Sequence, residues 1–253
     1  MTSSQDKLFA ELSSDIEVFA FDERVSRVFA DMIRRSVPGY ASVVAMTAVL
    51  AAEYVQAGSR VYDLGCSLGT GLIAIHDRLT QSCELIGIDN SAAMIEACEQ
   101  NFVTLFDKAG SNKAGVTRLL ICEDISEVDI RDASMVIMNY TLQFIAPEKR
   151  LALLQKIYAG MRPGGVLVLS EKLIFADPDT DTLLTKLYYD FKKHNGYSEL
   201  EISQKRQALE NVLIPETHQA HVERLSQAGF EQITNWFQCL NFHSFVAFKP
   251  SAT

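Results

Sequence analysis

Val61-Tyr62-Asp63-Leu64-Gly65-Cys66-Ser67-Leu68-Gly69-Thr70-Gly71 decides how this chain folds. Its apolar opening reads as a buried strand. Its middle reads as a glycine-punctuated turn, and Leu72-Ile73-Ala74-Ile75 begins a helix. Small residues in such a turn let the backbone approach a ligand closely, and the helix behind offers unpaired N–H groups and a favourable dipole. In an α/β sheet this is the place where a nucleotide sits.

On either side the chain continues in kind. Residues 1–20 are polar and mixed, and predict a loose arm or short helix. Residues 21–35 have helical periodicity, with Val25, Val28, Phe29, Met32 and Ile33 on one face. Pro38-Gly39 breaks that pattern before a second helix over 40–55. Strands are expected over 60–64, 83–89, 116–122 and 134–139. Helices are expected over 71–79, from the Ser91 N-cap to about Phe106, and from Pro147 to Met161. Pro163-Gly164-Gly165 predicts a turn into a strand over 166–170. Residues 172–215 lack strand character and read as a helical insertion joined at Asn195-Gly196. A helix over 217–227 and two closing strands, 233–239 and 244–249, suggest an antiparallel hairpin. The alternation predicts one α/β domain over 1–253, a mostly parallel doubly wound sheet with N-terminal helices at about 20–55.

Composition narrows the function classes. Of 253 residues, 48% are hydrophobic and 22% charged, which is ordinary for a globular protein. No uninterrupted apolar window is long enough for a membrane span, and the N-terminus has no apolar signal-peptide core, so a cytoplasmic protein is expected. A formal charge of −9 with no dense basic run argues against direct nucleic-acid binding. Five scattered cysteines without a C-x-x-C pair read as reduced thiols, and no metal site is expected.

Three further loops join the glycine turn. Leu85-Ile86-Gly87-Ile88-Asp89 is an apolar strand ending in an acid able to accept both hydrogen bonds of a ribose diol. Glu123-Asp124-Ile125 follows the next strand, placed to meet an adenine amino group and cover its ring. Asn139-Tyr140-Thr141-Leu142-Gln143-Phe144 ends another strand and makes a natural pocket floor. The stretch Gly160-Met161-Arg162-Pro163-Gly164-Gly165 before an apolar strand is more specific than any single loop. With it, the chain resembles the class I S-adenosylmethionine (SAM)-dependent methyltransferases over about 55–170 and again over 217–250. That resemblance implies a Rossmann-like αβα sandwich with a seven-stranded sheet whose last strand is antiparallel. It assigns the methionine part of SAM to Gly65, Cys66 and Ser67, the ribose to Asp89 with Asn90 beside it, and the adenine to Asp124 and Ile125.

Ser67 stands where the family's turn has its middle glycine, so Gly65-Cys66-Ser67-Leu68-Gly69 also fits a G-x-S-x-G nucleophile elbow. A hydrolase would use a late histidine, His218, His221 or His243, but no oxyanion-hole segment precedes the turn. That reading also leaves Asp89 and Asp124 without a role. A nicotinamide dehydrogenase fits no better, because Ser67 spoils the G-x-G-x-x-G register.

Four unusual blocks refine the resemblance: 36–40 (Ser-Val-Pro-Gly-Tyr), 62–69 with its serine, 195–206 (Asn-Gly-Tyr-Ser-Glu-Leu-Glu-Ile-Ser-Gln-Lys-Arg) and 236–239 (Trp-Phe-Gln-Cys). In that order they resemble the bacterial carboxy-S-adenosyl-L-methionine (carboxy-SAM) synthases over nearly the full length. This resemblance implies carboxyl transfer from prephenate to the methyl carbon of SAM, giving carboxy-SAM and phenylpyruvate. It also implies a homodimer, and a separate tRNA carboxymethyltransferase that uses the product on wobble uridines. Arg206 is then the carboxylate-binding and catalytic residue, and whether it serves the site of its own subunit or of a neighbouring one is left open by the sequence. Tyr40 and Asn139 are further ligand contacts, and Tyr197 is a weaker candidate. The alternatives are an ordinary small-molecule methyltransferase, which shares every nucleotide-site residue, and a ligand carrier that turns nothing over.

Overall fold

The computed structural model describes residues 5–13, 16–104, 113 and 115–251. Two helices lead, α1 (Glu23–Ser36) and α2 (Tyr40–Tyr54). Asp22 caps α1, its carboxylate accepting from the Val25 N–H at 3.0 Å. Gly39 precedes α2 with φ of +76°, and a Cβ there would lie 2.2 Å from the Phe237 ring. Then come β1 (Ser59–Leu64), α3 (Thr70–Arg78), β2 (Cys83–Asp89), α4 (Ala92–Phe102), β3 (Val116–Cys122), β4 (Ala133–Asn139), α5 (Pro147–Gly160) and β5 (Met161–Ile174). The insertion supplies α6 (Pro178–His194) and α7 (Glu199–Leu209). The chain closes with β6 (Glu216–Thr217), α8 (His218–Gln227), β7 (Glu231–Cys239) and β8 (Phe242–Phe248).

The main sheet has the order β3-β2-β1-β4-β5-β8-β7. All pairs are parallel except those of β8, which runs antiparallel to both β5 and β7. The short β6 pairs only with the far end of β5. Alternate residues of each strand feed opposite layers. Leu64, Ile86, Val136 and Leu167 pack with Leu154 and Ile157 of α5 and Leu225 of α8. Val61, Leu85, Ile137 and Val168 pack with Ala48 and Ala51 of α2 and Leu72 and Ile75 of α3. The chain leaves β1 for β2 on one side and returns to β4 on the other, so a crevice opens above β1 where the strand order reverses.

Three expectations need correction. The Pro-Gly-Gly segment is not a turn before a strand. Ala133 pairs with Met161 and Met135 with Val166, so residues 162–165 bulge out opposite Ser134 within one long strand. That strand also runs on to Ile174, into the region read as free of strand. The N-terminal arm is not loose among its described residues. Asp6 is buried, its N–H donates to Asp31 Oδ2 at 2.9 Å, and it accepts from the Tyr197 hydroxyl at 2.5 Å. Gln204 on α7 donates to the carbonyls of Phe9 and Glu11, at 2.9 and 2.8 Å. Polar composition suggested solvent, but these polar groups find one another. The expected helix end near Phe106 lies outside the described residues.

Candidate nucleotide and co-substrate site

A cavity of about 420 Å³ occupies the crevice. The turn after β1 forms its floor. Gly65 has φ of +83°, and a Cβ there would lie 2.4 Å from Thr141 Oγ1, so only glycine fits. Its N–H and that of Cys66 both donate to the Ile88 carbonyl, at 2.8 and 3.0 Å. Ser67 also adopts a left-handed backbone, φ 46°, which for a residue with a Cβ needs support. Asp89 supplies it: Oδ2 accepts from the Ser67 N–H at 3.0 Å and Oδ1 from the Ser91 N–H at 2.9 Å. Burial raises the pKa of Asp89, against the pull of those two donors. Its carboxylate thus fixes the loop and faces the cavity at once.

Tyr40, Gly65, Cys66, Ser67, Asp89, Asn90, Asp124, Ile125 and Asn139 all line this one cavity. Each plays a distinguishable part. Asp124 Oδ1 already accepts from the N–H and hydroxyl of Ser126, at 2.8 and 2.7 Å, which holds its pKa below the usual range. Ile125 is buried and offers an apolar surface. Asn139 accepts from Ser170 Oγ at 2.8 Å. Tyr40 is pushed up to about 12, first by burial and then by Asp63, and so stays a neutral phenol. Arg206 is placed differently. It is exposed in the last turn of α7 and is not among the lining residues; its neighbour Lys205 is. Tyr197, between α6 and α7 of the insertion, is buried with its ring 3.9 Å from the Arg35 guanidinium, and it too lies outside the lining.

The serine-elbow reading does not survive this geometry. His218, His221 and His243 gather around Phe245, and none of them lines the cavity. Among the described residues no cluster of three or more His, Cys, Asp or Glu stands ready for a metal ion. The described cysteines carry no disulfide, with Cys66, Cys83 and Cys98 buried.

Similarity to known proteins follows the same lines. The family described as "Methyltransferase domain" matches residues 61–165. The chain is 51% identical to the carboxy-S-adenosyl-L-methionine synthase of Citrifermentans bemidjiense over 98% of its own length and 100% of the relative's. With the synthase of Trichlorobacter lovleyi it shares 52% identity, and with that of Aliivibrio fischeri 49%, at the same coverage. This chain belongs to the carboxy-S-adenosyl-L-methionine synthase family.

Among solved structures, its fold resembles human N-acetylserotonin methyltransferase in complex with SAM. The TM-score is 0.58 at 18% identity, over 90% of this chain and 56% of the other. It also resembles the magnesium protoporphyrin IX methyltransferase of Synechocystis with bound SAM, with TM-score 0.55 at 14% identity, over 92% of this chain and 86% of that one. These likenesses establish the methyltransferase fold for this synthase-family member.

Several cavity residues were not singled out from sequence. Asp63 sits in the decisive stretch, and strand alternation turns it away from Tyr62 and Leu64 toward α3. Gly71 leaves it uncovered, since a Cβ there would lie 2.8 Å from Asp63 Oδ2. Burial, with a smaller contribution from the Asp89 charge, pushes Asp63 up to about 7. Its carboxyl is therefore part protonated near neutrality. A cationic ligand favours the ionised form, so such a ligand should bind more tightly as pH rises through 7. Titration calorimetry is expected to show SAM binding roughly three- to tenfold weaker at pH 6 than at pH 8, from this group. Asp63→Asn should flatten that difference, and an unchanged pH profile in the variant would remove Asp63 from the site.

Phe21, Phe29 and Met32, around and within α1, close the cavity from above, and the insertion adds Tyr188, Lys205 and Leu209. Tyr140 is held in a left-handed backbone, φ 62°, by its N–H to the Ser170 carbonyl at 2.6 Å. Its ring meets those of Tyr40 and Phe242, at 6.3 and 5.8 Å between centroids.

Proposed function

We propose that this protein makes carboxy-SAM in the cytoplasm, taking the new carboxyl carbon from prephenate and releasing phenylpyruvate and water. The full-length similarity to synthases of that name carries the reading. The cavity supports it in its lining: besides the nucleotide loops, its wall carries the ammonium-bearing side chains Lys172 and Lys205. The chemistry balances without an added oxidant. The sulfonium acidifies its methyl group, and loss of a proton gives an ylide. Prephenate becomes aromatic on losing its ring carboxyl as carbon dioxide and its ring hydroxyl as hydroxide. The hydroxide takes the methyl proton, and the ylide carbon captures the carbon dioxide.

The protein's part is positioning and the exclusion of water. In the proposed arrangement Asp89 and Asn90 hold the ribose, Asp124 and Ile125 the adenine, and Gly65, Cys66 and Ser67 the methionine part. Tyr40 and Asn139 are further ligand contacts. Arg206, supplied by a second copy of the chain in a homodimer, meets the newly formed carboxylate, for which its paired donors are suited. The product then passes to a separate tRNA carboxymethyltransferase, so this protein need not bind RNA itself.

Purified protein incubated with SAM and prephenate is expected to yield a sulfonium heavier than SAM by one carbon dioxide, detected by mass spectrometry alongside phenylpyruvate. Formation of S-adenosylhomocysteine instead would assign the protein to ordinary methyl transfer.

A further inference from the structure

The cavity separates charge. Asp63, Asp89 and Asp124 line the side at the ends of β1, β2 and β3, whereas Lys172 at the far end of β5 and Lys205 on α7 line the side beneath the insertion. The two lysines differ. Lys205 has a counter-ion, its Nζ lying 3.7 Å from Asp6 Oδ2 and 3.3 Å from Ser36 Oγ. Among the described residues, Lys172 Nζ makes no hydrogen bond or ion pair. What faces it is the Tyr188 ring, with Nζ 5.0 Å from the centroid. Asp181 acts on it only as a more distant charge, and one of that carboxylate's oxygens is engaged by the Phe175 N–H at 2.9 Å. Burial lowers the pKa of Lys172, as it does for a partly desolvated ammonium.

An ammonium without a counter-ion is an odd wall for a cavity that receives a sulfonium, because like charges repel most where water is scarce. A simple methyl acceptor would gain nothing from it. An anion lying between the two cations would be attracted by both. On the proposed function, which this inference extends, the co-substrate carries two carboxylates. One leaves as carbon dioxide, and an ion pair to it would stabilise the ground state and slow its loss. The other stays in the product. We infer that Lys172, backed by Tyr188, anchors the carboxylate of prephenate that is retained in phenylpyruvate, leaving the departing carboxylate unpaired.

Product binding tests this independently of turnover. Phenylpyruvate titrated into S-adenosylhomocysteine-loaded wild-type protein is expected to bind roughly tenfold or more tightly than its uncharged methyl ester, as a charge-assisted contact requires. Lys172→Met should abolish that preference and raise KM for prephenate by a similar factor, with SAM bound no more weakly than by the wild type. Lys172→Arg should restore much of it. Equal binding of acid and ester to the wild type, or phenylpyruvate affinity unchanged in Lys172→Met, overturns the inference even if carboxy-SAM is formed. Lys172-dependent phenylpyruvate binding without carboxy-SAM formation would keep the subsite and reject the reaction.

Discussion

Arg206→Ala is expected to weaken carboxy-SAM binding by roughly 30-fold or more while leaving SAM binding nearly unchanged, because a buried charge-assisted pair contributes about 2–5 kcal/mol. The two ligands differ only in the added carboxylate, so the loss isolates one interaction. The placement of the residue adds a second expectation. Successive helix residues point about 100° apart, and Lys205 faces the cavity of its own chain. Arg206 therefore points outward, where it is exposed. On the proposed function it would meet the carboxylate in the cavity of a second copy. Preference for carboxy-SAM over SAM should then fade as the protein is diluted below the dissociation constant of the proposed dimer. Calorimetry on both ligands, paired with sedimentation at matched concentrations, reads this directly. A strong preference persisting in Arg206→Ala would take Arg206 out of the site.

Arg150→Ala is expected to destabilise the fold by about 3–5 kcal/mol, the range for breaking a buried ion pair. Arg150 is fully buried. Its guanidinium pairs with Glu216 and donates to the carbonyls of Ile145, Gln143 and Ile214, at 2.8, 3.2 and 2.8 Å. One side chain thereby ties the turn after β4 to the segment that returns from the insertion. Truncation leaves three carbonyls without that donor, although Glu216 keeps Arg224. The same turn is held from the other side by Glu171, whose carboxylate accepts from the N–H groups of Leu142 and Gln143 at 2.9 and 3.0 Å. Burial pushes Glu171 up to about 8, against the pull of the backbone N–H donors and of the Arg150 charge. Loss of Arg150 should therefore loosen Gln143, which lines the cavity, as well as the core. Thermal unfolding is expected roughly 10 °C lower, given about 2–4 °C per kcal/mol in a chain of this size. Arg150→Lys should rescue little, because one ammonium cannot span four acceptors. A melting temperature within a degree or two of wild type would show that the network is not structural.

Sequence legibility followed locality. The strand–turn–helix at 61–75 was plain because its signals lie within one segment: apolar alternation, then glycines where the backbone turns left-handed. Asp89 was legible as the acid ending an apolar strand, but not as the clamp on Ser67. That second role depends on β1 and β2 being neighbours in register. The bulge at 162–165 is not legible in the sequence because glycine and proline mark a turn and a bulge alike, and only the partner strand separates the two.

Lys172, Arg150 and Asp6 show where local reading stops. Each is a charged residue in a segment of mixed composition, and each is drawn inward by partners far along the chain: Tyr188, Glu216, and Asp31 with Tyr197. The sequence by itself determined most of the order of strands and helices along the chain, the loops that line the cavity and the family. These rest on periodicity, on backbone conformations open to few residues, and on motifs contained in short windows. Only the tertiary structure decided which charges are buried, which of them have counter-ions, and which of two adjacent basic residues on α7 faces the cavity. Burial and pairing depend on distances between residues that chain order does not bring together.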